Sequence, residues 1–428
     1  MKVIDDSRNR VVCLSQDPKT IFSYGLQVKE LITGLPQYQF HVISSQYISG
    51  NPYSTTLTDK TGKPITSYVT WAFESEEKKC TSTLNNVIKH TNPLCVFSMG
   101  DIHHYNQIPI GKRLQNPWVS WFPWDNHDIE SLLRLKNTIE EPDVKITMNK
   151  FSFDLLKQYQ VDVDGMIYNI VDTNVFKPLT TKELNKQKLE KLNPYIKNKK
   201  ILLFVGRPNW RKNLEFLIMA FKEITRIRDD VLLYLHVDFN DEGVFDKPNI
   251  HKLIHGGGLA KKIIYTEKNK WTQGIEAEFL NRLYNVVDLY VSPHGGEGFG
   301  LPFCEAMACG VPFVATDCTS MPEFAEDGKR GLLAKVATSK LEKGVYRPWV
   351  DIKDFVDKIL YLLDNDEERK KMGRRGIYWV RKNCSKTKIA SQWQQVFEKL
   401  NVPICEVEEP TILEWSDKYV PQYTTIGE

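Results

Sequence analysis

The chain has 428 residues, 41% of them hydrophobic and 26% charged, and 57 basic side chains against 54 acidic ones leave a formal charge of +3. That length exceeds what one hydrophobic core serves, so two domains and a cleft between them are expected. The near-balance of charge lacks the basic surplus of a nucleic-acid binder, and no apolar run approaches the roughly 20 residues needed to cross a bilayer.

The first stretch, MKVIDDSRNRVVCLS, puts acids ahead of a short apolar strand and does not read as a secretory signal, so a cytoplasmic protein, at most peripheral to a membrane, is expected. Val11–Ser15 reads as a buried strand. After a turn at Tyr24-Gly25, Leu26–Leu35 has helical apolar spacing, and Phe40–Ser44 is the second strand. Leu94–Met99, Trp118–Phe122, Val144–Met148 and Met166–Ile170 extend the strand series. Strands alternating with helices indicate a doubly wound parallel sheet, whose ligands bind at the carboxyl ends of the strands. The loops Asp101–Asn106 and Pro123–Asp128 lie there.

Composition changes around Thr180–Lys200, a Lys-rich stretch that reads as a solvated linker and hinge. Ile201–Val205 opens a second alternating series, with helices at Leu214–Ile224 and Glu276–Asn285 and strands at Val231–Val237, Ile263–Tyr265, Leu289–Ser292 and Phe313–Ala315. Asp351–Leu363 and Ala390–Leu400 are late helices. The expected organisation is α/β throughout: residues 1–180, residues 181–385, and a tail of residues 386–428. The eight cysteines form no CxxC pair and read as buried thiols.

The most informative segment runs from Val291 to Phe313. A strand ends near Ser292, a glycine-rich loop follows, and a helix begins near Pro302, whose missing N–H suits a first helical position. Loop amides and a helix dipole make an anion site there. Glu297 and Glu305, eight residues apart, are suited to hydroxyl groups of the same ligand rather than to its phosphates. In Leu203-Phe-Val-Gly-Arg207-Pro-Asn-Trp-Arg-Lys212, a strand, a tight turn and a helix start carry two cations five residues apart, Arg207 and Lys212, which suit a diphosphate.

With Gly206-Arg207, Lys212, the E-x7-E run Glu297–Glu305, the following Ala-Met-Ala-Cys-Gly-Val-Pro, the segment Pro322–Leu333, and Tyr168–Pro178 before the linker, the chain resembles the retaining GT-B glycosyltransferases of the family-4 type, glycosyl transferases group 1. The match is close over about Tyr168 to Gly331 and loose before it. The resemblance implies a GT-B fold of two Rossmann-like domains, retention of anomeric configuration, and no bound metal or other cofactor. It also implies that Arg207 and Lys212 hold the donor diphosphate, that the amides of Gly298, Phe299, Gly300 and Leu301 hold phosphate or sugar, that Glu305 holds ribose, and that Glu297 touches the transferred sugar. Tyr24-Gly25 is similar to the family's glycine loop near the phosphates and acceptor, and reads equally well as a plain turn. The family often carries a His or Asp after the strand at Trp118–Phe122, where His127 and Asp125 both qualify, as do turn or capping roles. His103-His104 is a weaker candidate.

The function expected is transfer of a hexose-type sugar from a UDP- or GDP-linked donor to a glycan, lipid-linked or small-molecule hydroxyl. A non-catalytic nucleotide-sugar or glycan-binding protein of the same fold is the alternative. A metal-dependent transferase using Asp162-Val-Asp164 is a second, and that triplet reads as a turn. Trp118 and Trp121 are expected in the core.

Overall fold

The computed structural model describes residues 9–20, 23–44, 52–58, 61–72, 77–102, 116–180, 196–238, 247–266, 276–326, 328–342 and 344–400. His103-His104, most of the Lys-rich stretch and the tail beyond residue 400 lie outside them.

The first sheet consists of β1 (Asn9–Ser15), β2 (Tyr38–Ser44), β3 (Tyr53–Thr58), β4 (Pro64–Ala72), β5 (Cys95–Met99), β6 (Trp118–Phe122), β7 (Val144–Thr147) and β8 (Gly165–Met166), in the order β3-β4-β2-β1-β5-β6-β7-β8. It is wrapped by α1 (Ser23–Gly34), α2 (Glu77–Thr91), α3 (Ile129–Glu140) and α4 (Lys150–Gln158). Strands β2, β5 and β6 are buried along their whole length, and β5 and β6 accordingly read as nearly continuous apolar runs rather than alternations. The β3–β4 hairpin was not expected. It pairs antiparallel at the sheet edge, and β3, Tyr-Ser-Thr-Thr-Leu-Thr, alternates partly buried with exposed residues and carries little apolar signal.

The second sheet consists of β9 (Lys200–Val205), β10 (Val231–His236), β11 (Ile263–Tyr265), β12 (Leu289–Ser292), β13 (Phe313–Thr316) and β14 (Gly331–Ala334), all parallel, in the order β11-β10-β9-β12-β13-β14. Outside it, β15 (Val336–Glu342) and β16 (Val345–Val350) form a separate antiparallel hairpin. The helices are α5 (Leu214–Ile227), α6 (Lys247–Gly256), α7 (Ala277–Tyr284), α8 (Leu301–Ala308), α9 (Met321–Ala325), α10 (Ile352–Asp364), α11 (Asp366–Asn383) and α12 (Lys386–Glu398). Two doubly wound units are thus present, as expected.

Helix α12 returns to the first sheet. Its Trp393 ring lies 5.0 Å from Phe97 and 5.1 Å from Trp121, Phe397 lies 5.3 Å from Tyr38, and Lys386 pairs with Glu30 of α1 at 2.5 Å. Burial of such rings contributes roughly 1.5–3 kcal/mol each. Trp118 and Trp121 are core residues, as expected, their indoles donating to Ser98 Oγ and the Ile167 carbonyl. The described cysteines are buried and unbridged. No described helix is long and apolar enough to cross a membrane.

Candidate functional site

The carboxyl ends of β9 and β12 carry the two sequence motifs to one place. After β12 the chain turns through His294–Gly300, with Gly300 at φ 91° and helix α8 starting at Leu301-Pro302. Part of this loop is fastened internally. Gly296 N–H donates to His294 Nδ1 at 3.1 Å, Glu297 N–H donates to Thr319 Oγ1 at 3.0 Å, and Ser320 Oγ donates to the carbonyls of Glu297 and Phe299. Among the described residues, nothing accepts the amides of Gly298, Phe299, Gly300 and Leu301. Backbone donors just before and within the first turn of a helix have no intrahelical acceptor, so four such amides at the start of α8 favour an anion.

The turn after β9 supplies cations. Gly206 has φ 152°, a short 3-10 turn runs over Trp210–Lys212, and Asn213 takes the left-handed conformation at φ 51° before α5. Asn213 Nδ2 donates to the Pro293 carbonyl at 2.9 Å and Gly295 N–H donates to the Arg211 carbonyl at 2.8 Å, so the cation turn and the glycine loop are one unit. Arg207 is exposed, whereas Lys212 is only 7% exposed. Lys212 Nζ donates to Glu297 Oε1, and Arg211 donates to Glu297 Oε2 at 3.2 Å and to the Gly296 carbonyl at 2.6 Å. Burial alone would raise the Glu297 carboxyl, but Lys212 and Arg211 hold it well below the usual carboxylate range. Burial lowers the Lys212 ammonium, with Glu297 opposing the shift.

The first domain reaches the same cluster through the loop after β6. Asp125 Oδ1 accepts from Arg347 of β16 at 2.9 Å and its Oδ2 lies 3.6 Å from Arg211 Nε. Burial pushes its carboxyl up, but the two guanidiniums pull it below its ordinary value. Arg347 also donates to the Asp125 carbonyl and stacks over Trp210 at 5.3 Å. Two glycines exist for this contact. A Cβ on Gly296 would come within 2.3 Å of the Asp125 carbonyl oxygen, and one on Gly298 within 2.5 Å of Pro123. Asn149, the N-cap of α4, donates to the Gly298 carbonyl, and Glu323 of α9 accepts from Lys150 N–H and from the Tyr168 hydroxyl at 3.0 Å. The domains are therefore closed against each other around the anion loop.

The remaining expected residues divide. Glu305 sits on α8, accepts from the Tyr284 hydroxyl at 2.9 Å, and is pushed up by burial to about 7. Its surroundings thus differ from those of Glu297, which is held by cations. Asp125 joins the cation cluster, whereas His127 is largely exposed, its ring 4.6 Å from Phe151 and its pKa lowered by partial desolvation and by Arg347. The Tyr24 hydroxyl donates to Asp101 at 2.8 Å. Gly25 is demanded by packing, since a Cβ there would lie 2.1 Å from Thr20 Oγ1 and 2.5 Å from the Asp17 carbonyl oxygen. Asp162 and Asp164 both pair with Lys145, at 2.7 and 3.6 Å. Among the described residues no group of three His, Cys, Asp or Glu side chains is arranged to hold a metal ion.

Three participants were not read from the sequence. Arg211 stands beside Lys212 in a polar turn whose orientation no periodicity reports. Arg347 lies in a hairpin distant in sequence from both motifs. Asn149 reads only as a helix cap.

Residues 185–379 match the family described as glycosyl transferases group 1. Spore coat protein SA of Bacillus subtilis is 26% identical over 235 residues, covering 54% of this chain and 58% of that protein. N-acetyl-alpha-D-glucosaminyl L-malate synthase of Bacillus anthracis is 26% identical over 234 residues, covering 54% and 52%. The chain thus spans about half the length of these relatives. Among solved structures, the sucrose-phosphate synthase from Thermosynechococcus elongatus superposes with a TM-score of 0.72 at 17% identity, covering 92% of this chain and 99% of the other. Anabaena Alr3699/HepE in complex with UDP-glucose gives 0.69 at 15% identity, covering 91% and 99%. The fold shared with these structures is GT-B.

Proposed function

Because residues 185–379 carry the glycosyl transferases group 1 domain, we propose that the chain is a retaining, metal-independent glycosyltransferase that moves a hexose-type sugar from a nucleoside-diphosphate donor to an acceptor hydroxyl. The observation that carries this reading is the set of amides at Gly298–Leu301, without partners among the described residues, beside Lys212 at the start of α8. Four donors, a helix dipole and a buried ammonium stabilise the charge that develops on a departing diphosphate, which is commonly the largest catalytic term. Arg207, exposed at the same strand end, adds a second cation.

In the proposed reaction the bond from the anomeric carbon to the phosphate oxygen breaks and a bond to the acceptor oxygen forms on the same face. The acceptor proton passes to a donor phosphate oxygen. Glu305 accepts from ribose hydroxyls, and Glu297 accepts from the transferred sugar once Lys212 turns toward phosphate. Asp125 orients the sugar from the first domain, its geometry favouring it over His127. Uridine is the first base to test, since the HepE neighbour was solved with UDP-glucose.

The test is release of UDP from UDP-glucose and of GDP from GDP-mannose by the purified full chain in EDTA. Release in EDTA is expected. Release only after a divalent cation is restored would contradict metal independence, and tight binding without release would favour the non-catalytic alternative.

A further inference from the structure

The β15–β16 hairpin stands outside the second sheet, and its two faces do different things. In the pairing register Ser339 faces Pro348 and Lys340 faces Arg347, so alternate residues point to opposite sides. One side carries Arg347, bound to Asp125, and Trp349, packed on Phe216 at 4.8 Å with Lys340 over its ring at 3.9 Å. That side anchors the hairpin. The other side carries Ser339, Tyr346 and Pro348, which with Val336 form one wall of a cleft of about 450 Å³. The facing wall is the first-domain run His127, Asp128, Ile129 and Glu130, and Asp317 and Cys318 complete the lining. Tyr346 is 56% exposed and Ile129 40% exposed, so large apolar groups from both domains are gathered around an open space.

The chemistry of that lining is selective. Three carboxylates, Asp128, Glu130 and Asp317, face it, and among the described residues no lysine or arginine lines it. Asp128 is partly engaged as the N-cap of α3, accepting from Glu130 N–H and Ser131 Oγ, while Glu130 and Asp317 are exposed. Carboxylates accept from hydroxyls and repel phosphates, and a tyrosine ring offers an apolar face with a polar tip. The volume lies within the ordinary range of small-ligand sites, roughly 300–1,000 Å³. Position supports a role in transfer, because a Cβ on Gly295 of the donor loop would lie 2.8 Å from the carbonyl oxygen of Pro348, a cleft residue.

We propose that this cleft, walled by the hairpin and the His127–Glu130 loop, receives the acceptor, and that the acceptor is an uncharged, hydroxyl-rich saccharide rather than a phosphorylated one. The inference rests on the glycosyltransferase reading and narrows its acceptor class.

The test uses the full chain saturated with UDP and a panel of glucose, neutral methyl glycosides and disaccharides, with glucose 6-phosphate and inorganic phosphate as anionic probes, followed by saturation-transfer NMR and calorimetry. At least one neutral saccharide is expected to bind, with glucose 6-phosphate at least tenfold weaker than glucose. Tyr346→Ala should weaken the saccharide about tenfold and Asp317→Asn about threefold, while UDP affinity stays within twofold in both variants. Tyr346→Phe, which keeps the ring, should restore most of the binding. Tighter binding of the phosphorylated probe, saccharide affinity indifferent to Tyr346→Ala, or no saccharide binding by a chain that does bind UDP would overturn the inference and leave the transferase reading intact. Failure of the wild-type chain to bind any nucleoside diphosphate would overturn both.

Discussion

Around the anion loop, away from the saccharide cleft, the two domains meet with opposite charge. The second domain presents Arg211, Lys212 and Arg347 there, whereas the first presents Asp101 and Asp125. Arg211, Lys212 and Arg347 already have carboxylate partners in Glu297 and Asp125. Closure is therefore partly electrostatic, and under the proposed function a diphosphate entering the anion loop would compete with these carboxylates for the same cations. The lesson is that the two cations of the sequence motif are unlike: Lys212 is buried against Glu297, whereas Arg207 is exposed.

Lys212→Ala breaks this comparison most severely. Turnover should fall by roughly 100-fold or more. Because Glu297 is 5% exposed and keeps only Arg211 as an ionic partner among the described residues, stability should also drop by up to about 3 kcal/mol in urea denaturation. Adding Glu297→Gln should recover stability and not turnover. Arg207→Ala should lose comparable turnover with an unchanged denaturation midpoint. Burial thus gives Lys212 a part in folding beside its part in transfer.

The interdomain contact gives the next effect. Arg347→Ala and Asp125→Ala should each lower turnover about tenfold and enlarge the particle in small-angle scattering, and the double variant should be markedly non-additive, as contacting pairs are. Arg347→Lys keeps the charge, loses the fork and should recover only part of the turnover. UDP affinity should stay constant or rise, since removing Asp125 releases Arg211 for phosphate. Additive losses would show that Asp125 and Arg347 act separately.

Glu305 sets the smallest effect. Glu305→Gln should weaken UDP and GDP by roughly 1–2 kcal/mol. Its carboxyl is raised to about 7 in the free chain, and a ribose hydroxyl donating to it favours the ionised form, so binding releases a proton. UDP affinity measured relative to Glu305→Gln should therefore rise with pH by up to about tenfold between 6 and 8, then level off. The same raised value means that, without nucleotide, Glu305 favours the folded chain in acid and that this contribution is lost as pH rises through 7. A flat ratio across that range would return Glu305 to a structural place on α8.

Much of the second domain was legible because its signals are local. Strand β12, the glycine loop and Pro302 follow one another in sequence, so burial, turn and helix start could be read without knowing the fold. The first domain's part in the site was legible only as a resemblance that left Asp125 and His127 both open. Asp125 reads the same whether it caps a turn or spans a cleft, and what decides it is Arg347, more than two hundred residues later on a hairpin with alternating, half-polar strands. Gly296 and Gly298 illustrate the same limit. Their lack of a side chain suits a close phosphate on local grounds, yet the space it leaves on the Cβ side is filled by Asp125, Arg347 and Pro123 from outside the loop. The β3–β4 edge was hidden for a related reason, its Thr and Ser residues being partly solvated.

The most direct test of the site is a crystal structure of the chain with UDP bound. The diphosphate oxygens should lie about 3 Å from the amides of Gly298–Leu301, with Lys212 Nζ turned from Glu297 toward phosphate, Arg207 folded over it and Glu305 on the ribose. A diphosphate held by the first-domain loops after β1 or β5, with the Lys212–Glu297 pair unbroken and the loop amides facing only solvent, would contradict the assignment of the donor site to the second domain.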